Sequence, residues 1–284
     1  MIDMLKDNIP LAFLCQHFSV SRSGYYAWQI RSNTECWKKH LRDEILRIFQ
    51  ESKGTYGSPR IFQELLDMGF EISENTVARY MKELGLDARL KKKFRVMTTA
   101  SNHSDPIADR VFKYEEKLPQ KPFEVLAGDI TYLRLGTSFL YLAVVIDLFN
   151  REVVGWSMST SLESSLVVTA MSMALTKCKP STKFIFHSDR GSQYASDIFR
   201  NLLEKKDLTA SMSRRGNCYD NCYVETWFKS LKSEWIYRHE YATEEELRAL
   251  VFEYIETWYN TKRRYSSLDY MSPRDYKMKH QPAA

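Results

Sequence analysis

The chain is short of residues that break regular structure, with 10 glycines and 8 prolines in 284 positions, which excludes collagen-like and low-complexity classes. Cysteine is scarce and odd in number: Cys15, Cys36, Cys178, Cys218 and Cys222 include no C-x-x-C pair, which argues against a disulfide framework and a structural zinc. Cys218 and Cys222, four apart, read as two ordinary thiols rather than a metal clip. No long hydrophobic run exists. The longest covers residues 139–146 and stops at Asp147, far short of the roughly 20 residues of a membrane-spanning helix. Asp3 and Asp7 fall where a signal peptide would need apolar residues, so the expectation is a cytoplasmic protein with no membrane partner. Neither sign of charge prevails, 41 basic residues facing 36 acidic ones for a net +5.

What is present describes a globular protein: 44% hydrophobic and 27% charged residues, over a length that suggests about two domains and a sizeable core. The small positive excess is concentrated. Residues 77–95 hold Arg79, Lys82, Arg89, Lys91, Lys92, Lys93 and Arg95 against Glu83 and Asp87 alone. Such a cluster either neutralises phosphates along a duplex or is a solvated helix end and linker; charge alone leaves both open.

The first 97 residues read as short helices. Residues 9–18 carry Leu11, Leu14 and Phe18 at helical spacing, and Ser21 can cap a second helix bearing Tyr25, Tyr26 and Trp28. A further helix covers 41–49. Ser58-Pro59 opens another, with Ile61, Leu65 and Met68 on one face and Gly69 as its stop; Ser73 caps the next, with Val77, Met81 and Leu84 along it and Gly85 after it. The last two form a helix-turn-helix whose second helix exposes Asn75, Arg79 and Lys82, a shape shared by major-groove readers and plain helical hairpins. The expected organisation is a helical segment 1–38, a helix-turn-helix DNA-binding domain with a basic tail over 39–97, a linker over 98–120, and an α/β (α+β) domain over 121–284.

In that last region, β-type runs at 123–135, 139–146 and 152–158 predict an antiparallel meander. A helix over 164–178, a strand over 183–188, a helix over 196–206 and a strand over 208–213 complete a mixed five-stranded sheet with flanking helices. Reactive groups gather where such strands end. Alternation puts Val125, Ala127, Asp129 and Thr131 on one face, Asp189 ends the fourth strand, and Glu225 opens a helix expected over 221–237. On that helix Val224, Phe228, Leu231 and Trp235 form the buried stripe, with Glu225, Lys229 and Lys232 beside it. Three carboxylates suit two Mg²⁺ or Mn²⁺ ions serving an in-line phosphoryl transfer. Lys232, about 10 Å along the helix from Glu225, suits a neighbouring phosphate. Spacing alone decides little, because about four or five acid pairs separated like Asp189 and Glu225 arise by chance in this composition.

The residues around the acids decide more. Residues 128–133 (GDITYL), 187–194 (HSDRGSQY), 211–221 (SMSRRGNCYDN) leading to Glu225, and Tyr259-Asn260 through Ser272-Pro273 resemble the bacterial insertion-sequence transposases of family three, specifically their second-reading-frame product, OrfB. The likeness extends to residues 56–61 (YGSPRI). It implies an RNase H-like catalytic domain similar to retroviral integrases, with Asp129, Asp189 and Glu225 as a metal-binding DDE triad and Lys232 as the basic residue seven positions beyond. It also implies double-stranded DNA partners (terminal inverted repeats and target), an upstream-frame OrfA protein, a homo-oligomer on DNA, and a bacterial, nucleoid-associated setting. Arg214 and Arg215, then Lys262, Arg263 and Arg264, are candidate backbone contacts, a solvated patch being the alternative for both sets. The chain departs from the family's common His-Ser-x-Leu-Gly-Tyr with Tyr265-Ser266-Ser267-Leu268-Asp269-Tyr270. A non-catalytic DNA-binding protein and a generic nuclease of the same fold remain rival readings, and His187 is a packed strand histidine or a neighbour of the ions.

Overall fold

The computed structural model describes residues 1–88, 106–113, 118–178, 182–214 and 220–280. The chain divides into two compact units, Met1–Arg89 and Leu90–Ala284.

The first unit is all-helical: α1 (Ile2–Leu5), α2 (Leu11–His17), α3 (Arg22–Glu51), α4 (Ser58–Asp67) and α5 (Glu74–Glu83). The Ser21 side chain caps α3, its Oγ accepting from Gly24 N at 3.0 Å. Helix α3 then runs unbroken for 30 residues, through the expected break near residue 38 and the separate helix expected over 41–49. After Gly24 it meets no glycine or proline until Gly54, so nothing in the chain stops it. Helix α4 starts one residue earlier than its Ser-Pro signal suggests: Gly57 is the cap, and Ser58 is already helical. The Ser73 hydroxyl caps α5 by accepting from Thr76 N. Gly69 and Gly85 take left-handed φ of +84° and +68° where α4 and α5 stop. Leu41, Ile45, Ile61, Leu65 and Val77 bury completely to make the core of this unit.

The second unit is built on a five-stranded sheet: β1 (Val125–Leu135), β2 (Ser138–Asp147), β3 (Val153–Ser159), β4 (Ile185–Ser188) and β5 (Thr209–Met212), in spatial order β3-β2-β1-β4-β5. The meander pairs antiparallel, Asp129 opposite Val144, while β4 and β5 join in parallel, Gly128 opposite Ser188. Parallel pairing demands crossovers. These are α6 (Ser164–Thr176), with α7 (Ser192–Ala195) and α8 (Asp197–Lys205). They cover one face with a core of Leu126, Val145, Val154, Ala170, Phe186 and Phe199. Gly155 of β3 permits the close approach of α6, since a Cβ there would stand 2.1 Å from Ala170 O.

Beyond β5 follow α9 (Cys222–Ser230), which packs against β1, then α10 (Glu244–Phe252) and α11 (Pro273–His280). The helix expected over 221–237 is α-helical only to Ser230, then passes through a π-helical turn, Leu231–Trp235, and a 3₁₀ turn, Ile236–Arg238. A second π-helical turn, Glu253–Tyr259, follows α10. Trp227, Trp235, Tyr254 and Tyr259 interlock there with centroids 5.5–6.0 Å apart. The Asn260 amide pins the edge strand β3, accepting from Val153 N at 2.9 Å and donating to Val153 O at 3.0 Å. Asp269, where the resembled motif has glycine, takes the left-handed φ of +51° that glycine favours and aspartate tolerates. The whole is the RNase H-like arrangement of sheet and flanking helices that the resemblance implied, preceded by a helical region. Among the described residues no helix is long and apolar enough to cross a membrane.

Candidate active site

Three elements deliver the three acids. Asp129 lies midway along β1, at the first residue beyond its pairing with β4. Asp189 follows the last residue of β4, and Glu225 stands in the first turn of α9. Asp129 and Asp189 line one cavity with Tyr132 and Tyr194. Glu225 is not part of that lining, but its charge reaches Asp129.

The local backbone holds each aspartate in place. Asp129 Oδ1 accepts from Ile130 N at 2.8 Å, and Asp189 Oδ1 accepts from Gly191 N at 3.0 Å. Gly128 is required by crowding, because a Cβ would stand 2.6 Å from the Phe186 ring. Burial pushes the Asp129 carboxyl well above the usual carboxylate range; Asp189 and then Glu225 push the same way, against the Ile130 N–H and the Lys232 ammonium. Three carboxylates offer an all-oxygen donor set, the kind that suits a hard divalent ion. Among the described residues, no three His, Cys, Asp or Glu side chains stand close enough as placed to hold one ion.

Lys232, in the π-helical turn beyond α9, faces this site and is half-buried. Its Nζ lies 4.7 Å over the Tyr132 ring. Burial lowers its pKa to about 8, with Asp129 opposing.

Two residues that spacing did not single out position the acids. Asn221, the residue before α9, donates from Nδ2 to Gly128 O at 3.1 Å, tying the start of the Glu225 helix to the residue preceding Asp129. Asp220 has a fully buried side chain. It accepts from Arg214 N at 2.8 Å and from Arg214 Nη2 at 3.0 Å, with Arg110 Nη2 also at 3.0 Å. Both lie inside the 211–221 motif, as does Arg214, while Gly128 and Arg110 are remote in sequence. Tyr194, at the end of the 187–194 motif, is buried beside the carboxylates, and burial, Asp129 and Asp189 raise its phenol pKa.

The basic residues part ways. Lys229 is exposed on α9, and Arg79 and Lys82 are exposed on α5, Arg79 lying 3.8 Å from Glu83. Arg214 instead spends its guanidinium on Asp220. Arg263 is no surface phosphate clamp: it is buried, gripping Glu234 with two 2.6 Å bonds between the Tyr259 and Tyr265 rings. A basic triplet reads as surface in one dimension; Glu234, 29 residues away, makes its middle member internal. Arg215, Lys91, Lys92, Lys93, Arg95 and Cys218 lie outside the described residues. His187 resolves as packed. Its ring nitrogens lie 3.0 and 3.1 Å from Ser211 Oγ and Ser213 Oγ, and burial lowers its pKa to about 4.

Comparison with known proteins matches this architecture. Two Integrase core domain models match, one at residues 119–218 and the other at 225–280, and the HTH-like domain model matches 37–94. The chain is 38% identical to the transposase InsF for insertion sequence IS3A of Escherichia coli K12 over 283 residues, 98% of each chain. It is equally similar to an uncharacterized 31 kDa protein of insertion element IS600 from Shigella sonnei, over 95% of this chain and all of that one. Among solved structures it is similar to a simian T-cell lymphotropic virus intasome (13% identity, TM-score 0.48, 82% of this chain and 74% of that one). It is also similar to the HTLV-2 integrase catalytic core domain in complex with magnesium (15% identity, TM-score 0.43, 55% and 97%). With a relative 38% identical along nearly its whole length, and the HTH-like and integrase-core models matching in order, the chain belongs to the insertion-sequence transposases of the IS3 type.

Proposed function

We propose that this transposase cleaves DNA strands at the ends of its insertion sequence and joins the freed 3′-hydroxyl to target DNA, with Asp129, Asp189 and Glu225 as the catalytic, metal-binding carboxylates. The observation that supports this reading is geometric: Asp129 and Asp189, 60 positions apart in sequence, line one cavity, and Glu225 stands in the first turn of α9, whose preceding residue Asn221 is bonded to Gly128 O. Opposed acids of this kind mark sites built for a counter-charge.

The three carboxylates would hold Mg²⁺ or Mn²⁺, two ions in all, which when bound supply charge stabilisation at the attacking and leaving oxygens. The chain's own groups do the rest. The Lys232 ammonium binds a phosphate next to the scissile one, Asn221 keeps Glu225 in register with Asp129, and the buried Tyr194 shields the carboxylates on one side. The N-terminal helical domain, through Arg79 and Lys82 of α5 and the Lys91, Lys92, Lys93 and Arg95 tail, reads the terminal inverted repeats. Lys229 adds a phosphate contact beside the carboxylates. The upstream-frame OrfA protein and further copies of this chain complete the assembly on DNA.

Strand transfer on end-containing duplexes, with Mg²⁺ or Mn²⁺ and with the upstream-frame protein added, tests the reading. Glu225→Gln is expected to reduce joining at least a hundredfold, about the loss seen when one electrostatic stabiliser of a transition state is removed. Full activity in that variant would remove Glu225 from the triad. Hydrolysis without any joining would point to a nuclease.

A further inference from the structure

A second cavity, of about 810 Å³, opens between the β1–β2 hairpin and the chain that follows α9. Tyr132 belongs to the walls of both this cavity and the one lined by Asp129 and Asp189, so the two are neighbours across a single side chain. Lys232 links them as well, its charge acting on Asp129 while its Nζ sits 4.7 Å over the Tyr132 ring. The Phe139 ring meets Tyr132 edge-on at 5.2 Å and is 42% exposed. Tyr237 and Tyr241, both half-buried, line the same cavity. Arg134 and Lys232 outnumber the one acid in the lining, Glu240.

Flat rings with polar tips, in a groove of positive balance, are the means by which proteins hold nucleotide bases without reading their sequence. Tyr132 lies three residues beyond Asp129 on β1, roughly 10 Å along an extended strand. We infer that this groove takes an unpaired base from the strand whose phosphate lies at the carboxylates, stacking it on the tyrosine rings while Lys232 holds the phosphate between. The base must be unpaired, because in a duplex its neighbours in the stack cover its faces and pairing holds it there, so the strand is frayed where it passes the groove. The assignment of strand rests on the strand-transfer reading above.

Cross-linking tests it with the full chain and no metal. The probe is a forked duplex with a six-nucleotide oligothymidylate arm carrying 5-iodouracil at each arm position in turn. Adducts are expected on peptides containing Tyr132, Tyr237 or Tyr241; adducts confined to other peptides overturn the inference. In a parallel binding assay at fixed salt, an abasic arm is expected to bind on the order of tenfold more weakly than the thymidylate arm. The difference should vanish in the Tyr237→Leu, Tyr241→Leu double variant and persist in Tyr237→Phe, Tyr241→Phe. Equal affinity of the two arms, or a difference that survives the leucines, overturns the inference. Because cross-linking needs no substitution, an unstable leucine variant does not shelter the groove from refutation. Glu225-dependent cleavage with no adduct on these tyrosines overturns the groove and leaves strand transfer standing. Adducts without such cleavage overturn strand transfer while the groove stands.

Discussion

At the residue scale, Asp129 is a carboxyl group held out of water against its own preference. Its pKa is raised in the folded chain, so the stability tied to its protonated form is present at low pH and is lost as pH climbs from the ordinary carboxylate range through the raised value. Asp129→Asn removes that repulsion. The variant is expected to melt higher than the parent at neutral pH without divalent metal, by about 2–4 °C per kcal/mol relieved, while losing strand transfer; calorimetry beside a joining assay checks both. Lys232 sets an alkaline limit. Its ammonium is lost as pH rises through about 8, so kcat/KM, which reports the free enzyme, should fall above about 8. Lys232→Arg should abolish the alkaline fall, since a guanidinium keeps its charge, and a pH–rate series on both proteins measures this. His187 contributes no inflection near neutrality, because it is already neutral above about pH 4. These residues were legible to different depths. Alternation along 125–131 places Asp129 on a face and the loop signal after 188 places Asp189 at a strand end, both local properties. That Arg263 turns inward to Glu234 depends on a partner 29 residues away, which no local window of sequence contains.

At the scale of elements, the sheet follows from period-two runs and their turn residues, and each strand begins or ends within a few positions of its sequence signal. Helix phase was harder to read. The stripe Val224, Phe228, Leu231 and Trp235 is buried as the spacing requires, yet the ladder slips to π-helical geometry at Leu231, where large aromatic side chains from α9 and from the turn after α10 interlock. A local pattern does not register such crowding. Helix α3 shows the converse, a continuous element that only missing punctuation could have announced. The packing of α6 on β3 gives a direct test. Gly155→Ala puts a methyl group against the Ala170 carbonyl, so α6 must lift from the sheet, and a destabilisation of about 1–3 kcal/mol is expected in urea unfolding, the range for overpacking. An unchanged midpoint would mean that α6 and β3 stand too far apart for the methyl group to meet that carbonyl.

For the whole molecule, the charge distribution matters more than its sum. A net +5 across 284 residues is modest, and the seven basic residues within 77–95 concentrate the attraction for phosphate in one stretch. Replacing Lys91, Lys92 and Lys93 with alanine should therefore weaken duplex binding regardless of sequence. It should also flatten the slope of log affinity against log salt by about 2–3, near 0.9 for each phosphate no longer neutralised. Anisotropy titrations over a salt series give that slope, and an unaltered one would make those lysines bystanders. The bonds between Arg214 and Asp220 reach furthest. The pair is fastened to itself and to Arg110, while Asn221, next in sequence, fastens the start of α9 to β1. Glu225, one turn further on, therefore stands on a moored footing and not on the free end of a loop.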